Sequence, residues 1–483
     1  MCGIVVVISE YSIHLAKMIN SLEVVMPRGP DDNCTRVVHA DPDVIMAHAR
    51  LKTHPTSTTQ PIRDRGWSVV CNGEIYNHLN DCHALPMLLS HHGRFTPKYI
   101  NGVFAFIGFH PEHGFVACRD PIGVVPLYVG TVKTPAGRQL WFASMERALE
   151  HCDEVNIFPP GYSCSGTLEN TEWSRYTRPY TMPMEIPNPQ PLRDLLTRAV
   201  HKRIRMCNTT MAVFLSGGLD SSIIAALACK FGKVRTYSIG LDGSPDLVAA
   251  REVANFLGTD HHEVHFTVEE GLAAIPEVIR AVETCDITTV RASVPMYLLC
   301  RKIKQDGIRV MLSGEGADEL FAGYAYNEYA PDAESLFKES VEKMDLLHAY
   351  DCQRANKTCA AFGIECRVPF LDKDVVDFAM DRLHPQQKMW KVLEKEVLRD
   401  AFIGALPTHI LMRKKAQFSD AVGSAWITAC RESFPEHQYY STLYKAACPH
   451  EACLYELETV ACSTRAGAQW VDAERDPSGI IKV

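Results

Sequence analysis

Short apolar runs, each interrupted within a few positions by turn-forming residues, dominate the first third of the chain. They are Ile4–Ile8, Trp67–Cys71, Val103–Phe109, Gly114–Cys118, Leu127–Gly130 and Leu140–Ala143. Runs of this length bounded by turn residues predict strands in antiparallel or stacked sheets. After residue 191 the pattern changes. Met211–Leu215 predicts a buried strand, Ser216-Gly217-Gly218 a turn and Ser221–Cys229 a helix. Val234–Ile239 predicts a second strand and the amphipathic Leu247–Leu257 a second helix. Strand and helix in alternation predict a parallel sheet with crossover helices, so the chain combines an α+β half with an α/β half. Beyond Ala292 the apolar spacing is mostly helical. Five prolines mark the change (Pro179, Pro183, Pro187, Pro189, Pro191), with Glu185 the only charge among them. Proline at that density is excluded from helix interiors and central strands. We therefore expect a first domain at 1–178, an extended linker at 179–191 and a second domain at 192–483, without internal repeats.

Composition narrows the class. With 46% hydrophobic and 22% charged residues, the 483-residue chain is a globular protein of two to four domains, not a disordered one. Its 49 basic and 58 acidic residues leave a net charge of −9, which argues against a nucleic-acid-coating surface. No stretch approaches the roughly 18 apolar residues of a membrane span. The apolar run after Met1 stops at Ile8 and has no basic segment before it, so no signal peptide is expected. The 18 cysteines then read as reduced thiols of a cytoplasmic enzyme.

Cys2 lies directly behind the initiator methionine. Removal of Met1 would place a thiol and a free α-amine on one carbon, and an amine with a pKa of about 7.7–8.0 can accept the thiol proton near neutrality. Alone, a cysteine at position 2 is weak evidence. It is followed in order by Arg28-Gly29-Pro30-Asp31, Arg50-Leu51, Asn72-Gly73-Glu74-Ile75-Tyr76-Asn77, Asp81-Cys82 and Arg119-Asp120. This ordered set resembles the class II glutamine amidotransferases, whose glutaminase domain has the N-terminal-nucleophile fold of stacked antiparallel sheets. The resemblance implies that Cys2 attacks the glutamine amide, with Asn72 and the N–H of Gly73 as the oxyanion hole. It also implies that Arg50 clamps the α-carboxylate and that Glu74 and Asp81 receive the α-ammonium. Taken singly, Arg50, Glu74 and Asp81 read as surface charges. Departures bear on glutamine affinity: the Asn77–Asp81 segment is short, His83 stands where glutamate is common, and Lys52-Thr53-His54 replaces a more apolar loop.

Ser216-Gly217-Gly218-Leu219-Asp220-Ser221-Ser222 joins the first buried strand of the second half to its helix. Glycines let the backbone approach an anion, and N–H groups at the helix start point toward it. The Gly-Lys-[Ser/Thr] ending of a Walker loop is absent. The segment resembles the pyrophosphate loop of enzymes that cleave ATP between the α and β phosphates. A second cluster, Ser313-Gly314-Glu315-Gly316-Ala317-Asp318-Glu319, supplies carboxylates beside a glycine turn. Magnesium takes one or two carboxylates together with phosphate oxygens, which makes Asp220 and Asp318 the candidate ligands. Read alone, the cluster is an acidic helix start.

Further along, Thr288-Thr289-Val290-Arg291-Ala292-Ser293, Arg367-Val368-Pro369-Phe370-Leu371-Asp372 and Gln417-Phe418-Ser419-Asp420 extend the match over nearly the whole chain. The sequence resembles the glutamine-hydrolysing asparagine synthetases of the bacterial and plant type, in which a helix-rich, parallel-sheet synthetase domain follows the glutaminase. The resemblance implies adenylation of aspartate by ATP with Mg2+, and attack on β-aspartyl-AMP by ammonia from glutamine. It implies adenine contacts from Leu215 and Ile239, and nucleotide contacts from Ser216, Gly217, Gly218, Ser221, Ser313 and Gly314. Glu315 would position or deprotonate ammonia, and Lys415 would stabilise phosphate charge. Asp246, Arg291 and Asp372 are weaker candidates for aspartate or loop contacts, with structural ion pairing the alternative. A homodimer is compatible with the resemblance. Competing readings are a synthetase that runs on free ammonia, a β-lactam synthetase-like enzyme and a non-catalytic nucleotide-binding paralogue. The match around Arg291 and Glu315 disfavours the β-lactam reading, and the presence of Cys2, Asp220 and Lys415 disfavours the paralogue.

Overall fold

The structure, a computed structural model, describes residues 1–55, 58–185, 191–389, 391–414, 423–452 and 470. The chain divides into two compact units. The first holds Met1–Arg178, joined by Cys359–Glu365 and a stretch beginning at Tyr444. The second holds Pro179–Thr358 and Cys366–Leu443.

Twelve strands build the first unit: β1 (Gly3–Ser9), β2 (Asp32–Ala40), β3 (Asp43–Arg50), β4 (Ile62–Asp64), β5 (Trp67–Ile75), β6 (Gly102–His110), β7 (Gly114–Arg119), β8 (Tyr128–Thr134), β9 (Gly137–Ala143), β10 (Glu154–Ile157), β11 (Tyr162–Gly166) and β12 (Thr171–Arg175). They form two six-stranded sheets, β10-β8-β9-β1-β3-β2 and β12-β11-β7-β6-β5-β4. Neighbouring strands run antiparallel, as in the pairs β1–β3 and β5–β6. All seven positions of β1 are buried, so both of its faces are covered. The helix Leu15–Val25 packs on β1, which also touches β5 of the other sheet. On the far side Leu85, Leu88 and Leu89 of a short helix join Trp67, Val69, Phe104 and Phe106 in one core. The layers run helix, sheet, sheet, helix, which meets the expectation of stacked antiparallel sheets.

The second unit is rich in helices around a sheet ordered β15-β14-β13-β16-β17. Its strands are β13 (Met211–Phe214), β14 (Arg235–Gly240), β15 (Asp260–His265), β16 (Val310–Leu312) and β17 (Glu365–Arg367). The β13–β14, β14–β15 and β13–β16 pairs are parallel, as expected. Helices Leu219–Cys229 and Pro245–Leu257 cross between the first three strands, and Val268–Val282 and Ile287–Gln305 precede β16. Successive strands move outward from β13 on one side, and β16 returns to its other side. Ligands of open α/β sheets bind in the crevice beyond the strand carboxyl ends at such a reversal. The helix Pro191–Arg205 begins inside the stretch expected to be linker. Pro191 opens it because a first-turn N–H has no intrahelical partner to lose. Among the described residues no helix is long and apolar enough to cross a membrane, and the described cysteines are free thiols.

Candidate active sites

Cys2 immediately precedes β1. Its Sγ accepts the Leu51 N–H at 3.4 Å, and its carbonyl accepts Arg28 Nε at 3.0 Å. The pairing of Gly3 with Ala49 across β1 and β3 brings Leu51 to it. Burial pushes the thiol up to about 11, against the lowering effect of the N-terminal ammonium. Glu365 and Cys71, the residue before Asn72, act with burial. The Met1 ammonium lies 2.6 Å from Glu365 Oε2, which also accepts Thr53 Oγ1 at 3.1 Å.

Asn72, Gly73 and Glu74 occupy β5. Asn72 is fully buried, and neither polar atom of its side chain has a hydrogen-bond partner among the described residues. Gly73 has φ 149°, and a Cβ there would lie 2.2 Å from the Val103 carbonyl oxygen and 2.6 Å from Phe104 Cα. The close pairing of β5 with β6 therefore requires glycine. The shortened segment after Asn77 closes on itself: the Asp81 N–H donates to the His78 carbonyl at 3.0 Å. Asp81 Oδ1 then accepts the Ile75 N–H at 2.7 Å, returning this buried carboxylate to the end of β5. Arg50 ends β3, with Asp32 Oδ2 3.8 Å away. Cys2, Arg50 and Asn72–Glu74 thus sit on or beside strands that touch. Asp120, from the same motif set, accepts the N–H groups of Gly123, Val124 and Val125 at 2.7–3.0 Å and so shapes a loop.

In the second unit the crevice at the strand reversal holds a cavity of about 230 Å³. Leu215, Ser216, Gly218, Asp220 and Ser221 line it after β13, Ile239 at the end of β14, and Ser313, Gly314, Glu315 and Asp318 after β16; Asp246 joins them. The loop after β13 is held by its own serines. Ser216 Oγ accepts the Gly218 N–H at 3.3 Å and lies 3.1 Å from Ser221 Oγ. Gly217 faces away from the cavity. Its φ is 73°, and a Cβ would stand 2.4 Å from Ala250 N, so glycine lets the loop pack on the helix Pro245–Leu257.

Asp220 Oδ2 and Asp318 Oδ1 each lie 2.6 Å from Nζ of Lys395. Asp220 Oδ1 is buried without a hydrogen-bond partner among the described residues. Gly323 makes room for this cluster, because a Cβ there would meet Asp318 Oδ1 at 2.0 Å and Lys395 Cε at 2.1 Å. Glu315 Oε2 accepts Arg354 Nη2 at 2.7 Å, and Asp351 lies 3.1 Å from the same guanidinium. Asp246 pairs with Arg413 at 2.9 Å, yet burial still pushes its carboxyl up to about 6. Glu319 is pushed up to about 8 by burial and then by Asp351 and Asp318, and it accepts the Tyr324 hydroxyl.

Arg291 and Asp372 do not line the cavity. Arg291 makes a buried pair with Glu436. Asp372 pairs with Arg203 at 2.8 Å and Lys202 at 3.0 Å, and accepts the Asp374 N–H at 3.2 Å as a helix cap. For both residues the geometry is that of structural ion pairing rather than a wall of the site. Lys415 and Gln417-Phe418-Ser419-Asp420 lie outside the described residues. Lys395, Arg354, Asp351 and Arg413, all lining the cavity, were missed by the reading of the sequence.

Residues 1–159 match the family described as glutamine amidotransferase domain, and residues 191–341 and 329–438 match asparagine synthase. An amidotransferase half joined to a synthetase half defines a glutamine-dependent amide-forming ligase. The chain is 39% identical over 553 residues to glutamine-hydrolyzing asparagine synthetase 2 of Oryza sativa subsp. japonica, covering 99% of this chain and 92% of that protein. It is 39% identical to glutamine-hydrolyzing asparagine synthetase 3 of Arabidopsis thaliana (99% and 94% covered) and 38% identical to the Zea mays enzyme (99% and 93%). The chain belongs to the glutamine-hydrolysing asparagine synthetase family.

Proposed function

We propose that the protein makes asparagine from aspartate, ATP and glutamine, releasing glutamate, AMP and pyrophosphate. The observation that carries this reading is identity of 36–39% along 99% of the chain to several proteins named as glutamine-hydrolyzing asparagine synthetases. In the first unit, removal of Met1 gives Cys2 the α-amine that takes its proton, and Sγ attacks the side-chain amide carbon of glutamine. Asn72 Nδ2 and the Gly73 N–H hold the developing oxyanion, a task consistent with an amide that has no partner among the described residues. Ammonia leaves, and water releases glutamate from the thioester. Arg50 holds the α-carboxylate, and Glu74 and Asp81 hold the α-ammonium.

In the second unit the hydroxyls of Ser216 and Ser221 and the N–H groups at the start of the helix Leu219–Cys229 cradle the pyrophosphate of ATP. Leu215 and Ile239 flank the adenine, and Ser313 and Gly314 hold the nucleotide. Asp220 and Asp318 fit a magnesium ion, offering two hard oxygen ligands, one of them a buried Asp220 Oδ1 without a partner among the described residues. Bound there, the ion would neutralise phosphate charge. Lys395 holds the two carboxylates together, and Lys415 is assigned to the phosphates by resemblance. Glu315, oriented by Arg354, positions the ammonia that displaces AMP from the aspartyl adenylate. We read the enzyme as cytoplasmic; a homodimer is compatible with this reading.

A second reading, a synthetase driven by free ammonia, draws on the shortened Asn77–Asp81 segment. Assays of AMP and asparagine with aspartate, ATP and either glutamine or ammonium decide between them. Cys2→Ala should abolish glutamine-dependent synthesis by orders of magnitude and leave ammonium-dependent synthesis nearly intact. Loss of both activities in a folded Cys2→Ala protein would refute the two-site mechanism. An unmutated protein that ignores glutamine but uses ammonium would establish the second reading.

A further inference from the structure

Three cations at the wall of the second unit's cavity are held in different ways. Lys395 lies between Asp220 and Asp318, and Arg354 between Glu315 and Asp351. Among the described residues Arg413 pairs with a single carboxylate, that of Asp246. We propose that this pair is a displaceable latch: Arg413 is a phosphate-binding residue that Asp246 holds ready and that the pyrophosphate group, in ATP or as product, draws away from it. The latch rests on the ATP-dependent reaction proposed above, to which it adds a specific phosphate ligand.

Position comes first. Arg413 donates from Nη1 to the Gly217 carbonyl at 3.2 Å and from Nη2 to Asp246 Oδ1 at 2.9 Å. Ser216 and Gly218, on either side of Gly217, line the cavity together with Arg413. Consecutive Cα atoms lie about 3.8 Å apart. The guanidinium is therefore held within one residue of the groups that cradle the phosphates. Its two partners belong to one wall, because the loop packs at Gly217 on the helix Pro245–Leu257 and Asp246 stands in the first turn of that helix. Arg413 reaches this wall from 196 and 167 residues away along the chain.

Charge then sets the direction of exchange. Lys395 and Arg354 each face two carboxylates, so both are outnumbered before any phosphate arrives. Arg413 faces one, and its planar fork suits phosphate as well as carboxylate. Pyrophosphate also brings more negative charge than a single carboxylate. Asp246 is a weak competitor for a second reason: burial works against its charged form and pushes the carboxyl up to about 6, even with Arg413 opposing. Once released, it keeps the support of the helix N-terminus, where the dipole favours an anion. The Arg413 side chain is 25% exposed and that of Asp246 is 8% exposed, so the cation is the member free to turn. A purely structural ion pair behaves otherwise. Removing either of its partners leaves the other buried without compensation, so both substitutions damage the site in the same direction.

The test is calorimetric titration of the full-length protein with pyrophosphate in the presence of Mg2+, beside the Arg413→Ala, Arg413→Lys and Asp246→Asn variants. Arg413→Ala should weaken pyrophosphate binding by about tenfold or more, the scale of a lost charge-assisted hydrogen bond. Arg413→Lys should restore part of that loss. Asp246→Asn keeps the shape of the side chain and removes the competing charge, so it should tighten binding severalfold. A crystal structure of the unmutated protein with pyrophosphate reads the same exchange and needs no variant to fold. It should show Arg413 within hydrogen-bond distance of a phosphate oxygen and parted from Asp246. Weaker binding in both Arg413→Ala and Asp246→Asn, unchanged binding in Arg413→Ala, or an intact Arg413–Asp246 pair beside bound pyrophosphate would each overturn the latch. Formation of AMP from ATP and aspartate by the unmutated protein separates the two levels. Without AMP, the ATP-dependent reaction and the latch fall together; with AMP and affinities that do not split in sign, the latch falls alone.

Discussion

Asn72→Ala separates a catalytic amide from a structural one. A buried side-chain amide in a fold's interior is usually hydrogen-bonded, and truncating such a group leaves its former partners unsatisfied. Asn72 has no partner on either polar atom among the described residues. Its burial therefore already carries a penalty on the order of 1–3 kcal/mol. Removing the amide relieves that penalty and leaves a cavity of three heavy atoms, whose cost is of similar size. The two terms oppose each other, so the thermal midpoint should move by only a few degrees. Catalysis should respond very differently. Loss of one oxyanion donor costs about 10²–10³ in kcat, or roughly 2.7–4 kcal/mol of transition-state stabilisation. That loss should fall on glutamate release and glutamine-dependent asparagine formation, with the ammonium-dependent rate unchanged. Glutamate and asparagine are quantified with each nitrogen source, and unfolding is followed by calorimetry. A midpoint drop of ten degrees or more, or an equal fall with ammonium, would refute the assignment of Asn72 to the oxyanion.

Other outcomes follow from the same geometry. Intact-mass measurement of glutamine-active protein should show a chain beginning at Cys2, since the α-amine of Met1 is held in a buried pair with Glu365; retained Met1 with full activity would contradict the nucleophile. Lys395→Met leaves Asp220 and Asp318 without their shared cation, so the thermal midpoint should fall and should recover with added Mg2+ more than in the unmutated protein. Equal Mg2+ responses would remove the two carboxylates as a metal site. Burial lowers the Lys388 ammonium from 10.5 to about 7, with Asp381 opposing only in part. Between pH 7 and 10.5 the unfolded chain then holds the extra proton, so stability rises with pH across that window. Lys388→Met should abolish the rise and stabilise the protein at pH 7 by up to about 5 kcal/mol, at about 1.36 kcal/mol per pKa unit; denaturant unfolding at pH 7 and 9.5 reads it, and an unchanged slope would contradict the burial argument.

Legibility in the sequence tracked local signal. β1, β5, β6, β7, β8 and β9 each contain an apolar run between turn residues, and each was anticipated within a few positions. β2 was not, because Asp32–Ala40 is a partly exposed edge strand whose longest apolar stretch is Val37-Val38. β3 was not, although it holds the apolar run Val44-Ile45-Met46-Ala47; the weak strand formers Ala47 and Ala49 blur its second half, and pairing with both β1 and β2 completes the strand. Both glycine-bearing loops of the second unit were legible, since close backbone approach leaves its mark in residue type. Lys395 leaves no such mark. It lies in a charged run, 175 positions from Asp220, and only the folded chain shows that the two meet. Arg291 illustrates the converse: its motif is recognisable, but its guanidinium is committed to Glu436.

The segments that join the first unit from far along the chain set an order of assembly. Glu146 is almost fully buried, and its carboxylate accepts the Tyr444 hydroxyl at 2.9 Å and the Ala452 N–H at 3.0 Å. Those partners lie 298 and 306 residues downstream. During synthesis the amidotransferase layers can pair their strands early, but this carboxylate must wait hydrated until the chain has been made past Ala452. An excised fragment ending at Arg178 would keep every strand of both sheets and still lack the groups that seal Glu146 from water. Design of a free-standing glutaminase from this chain therefore has to replace Glu146 as well as cut at the prolines.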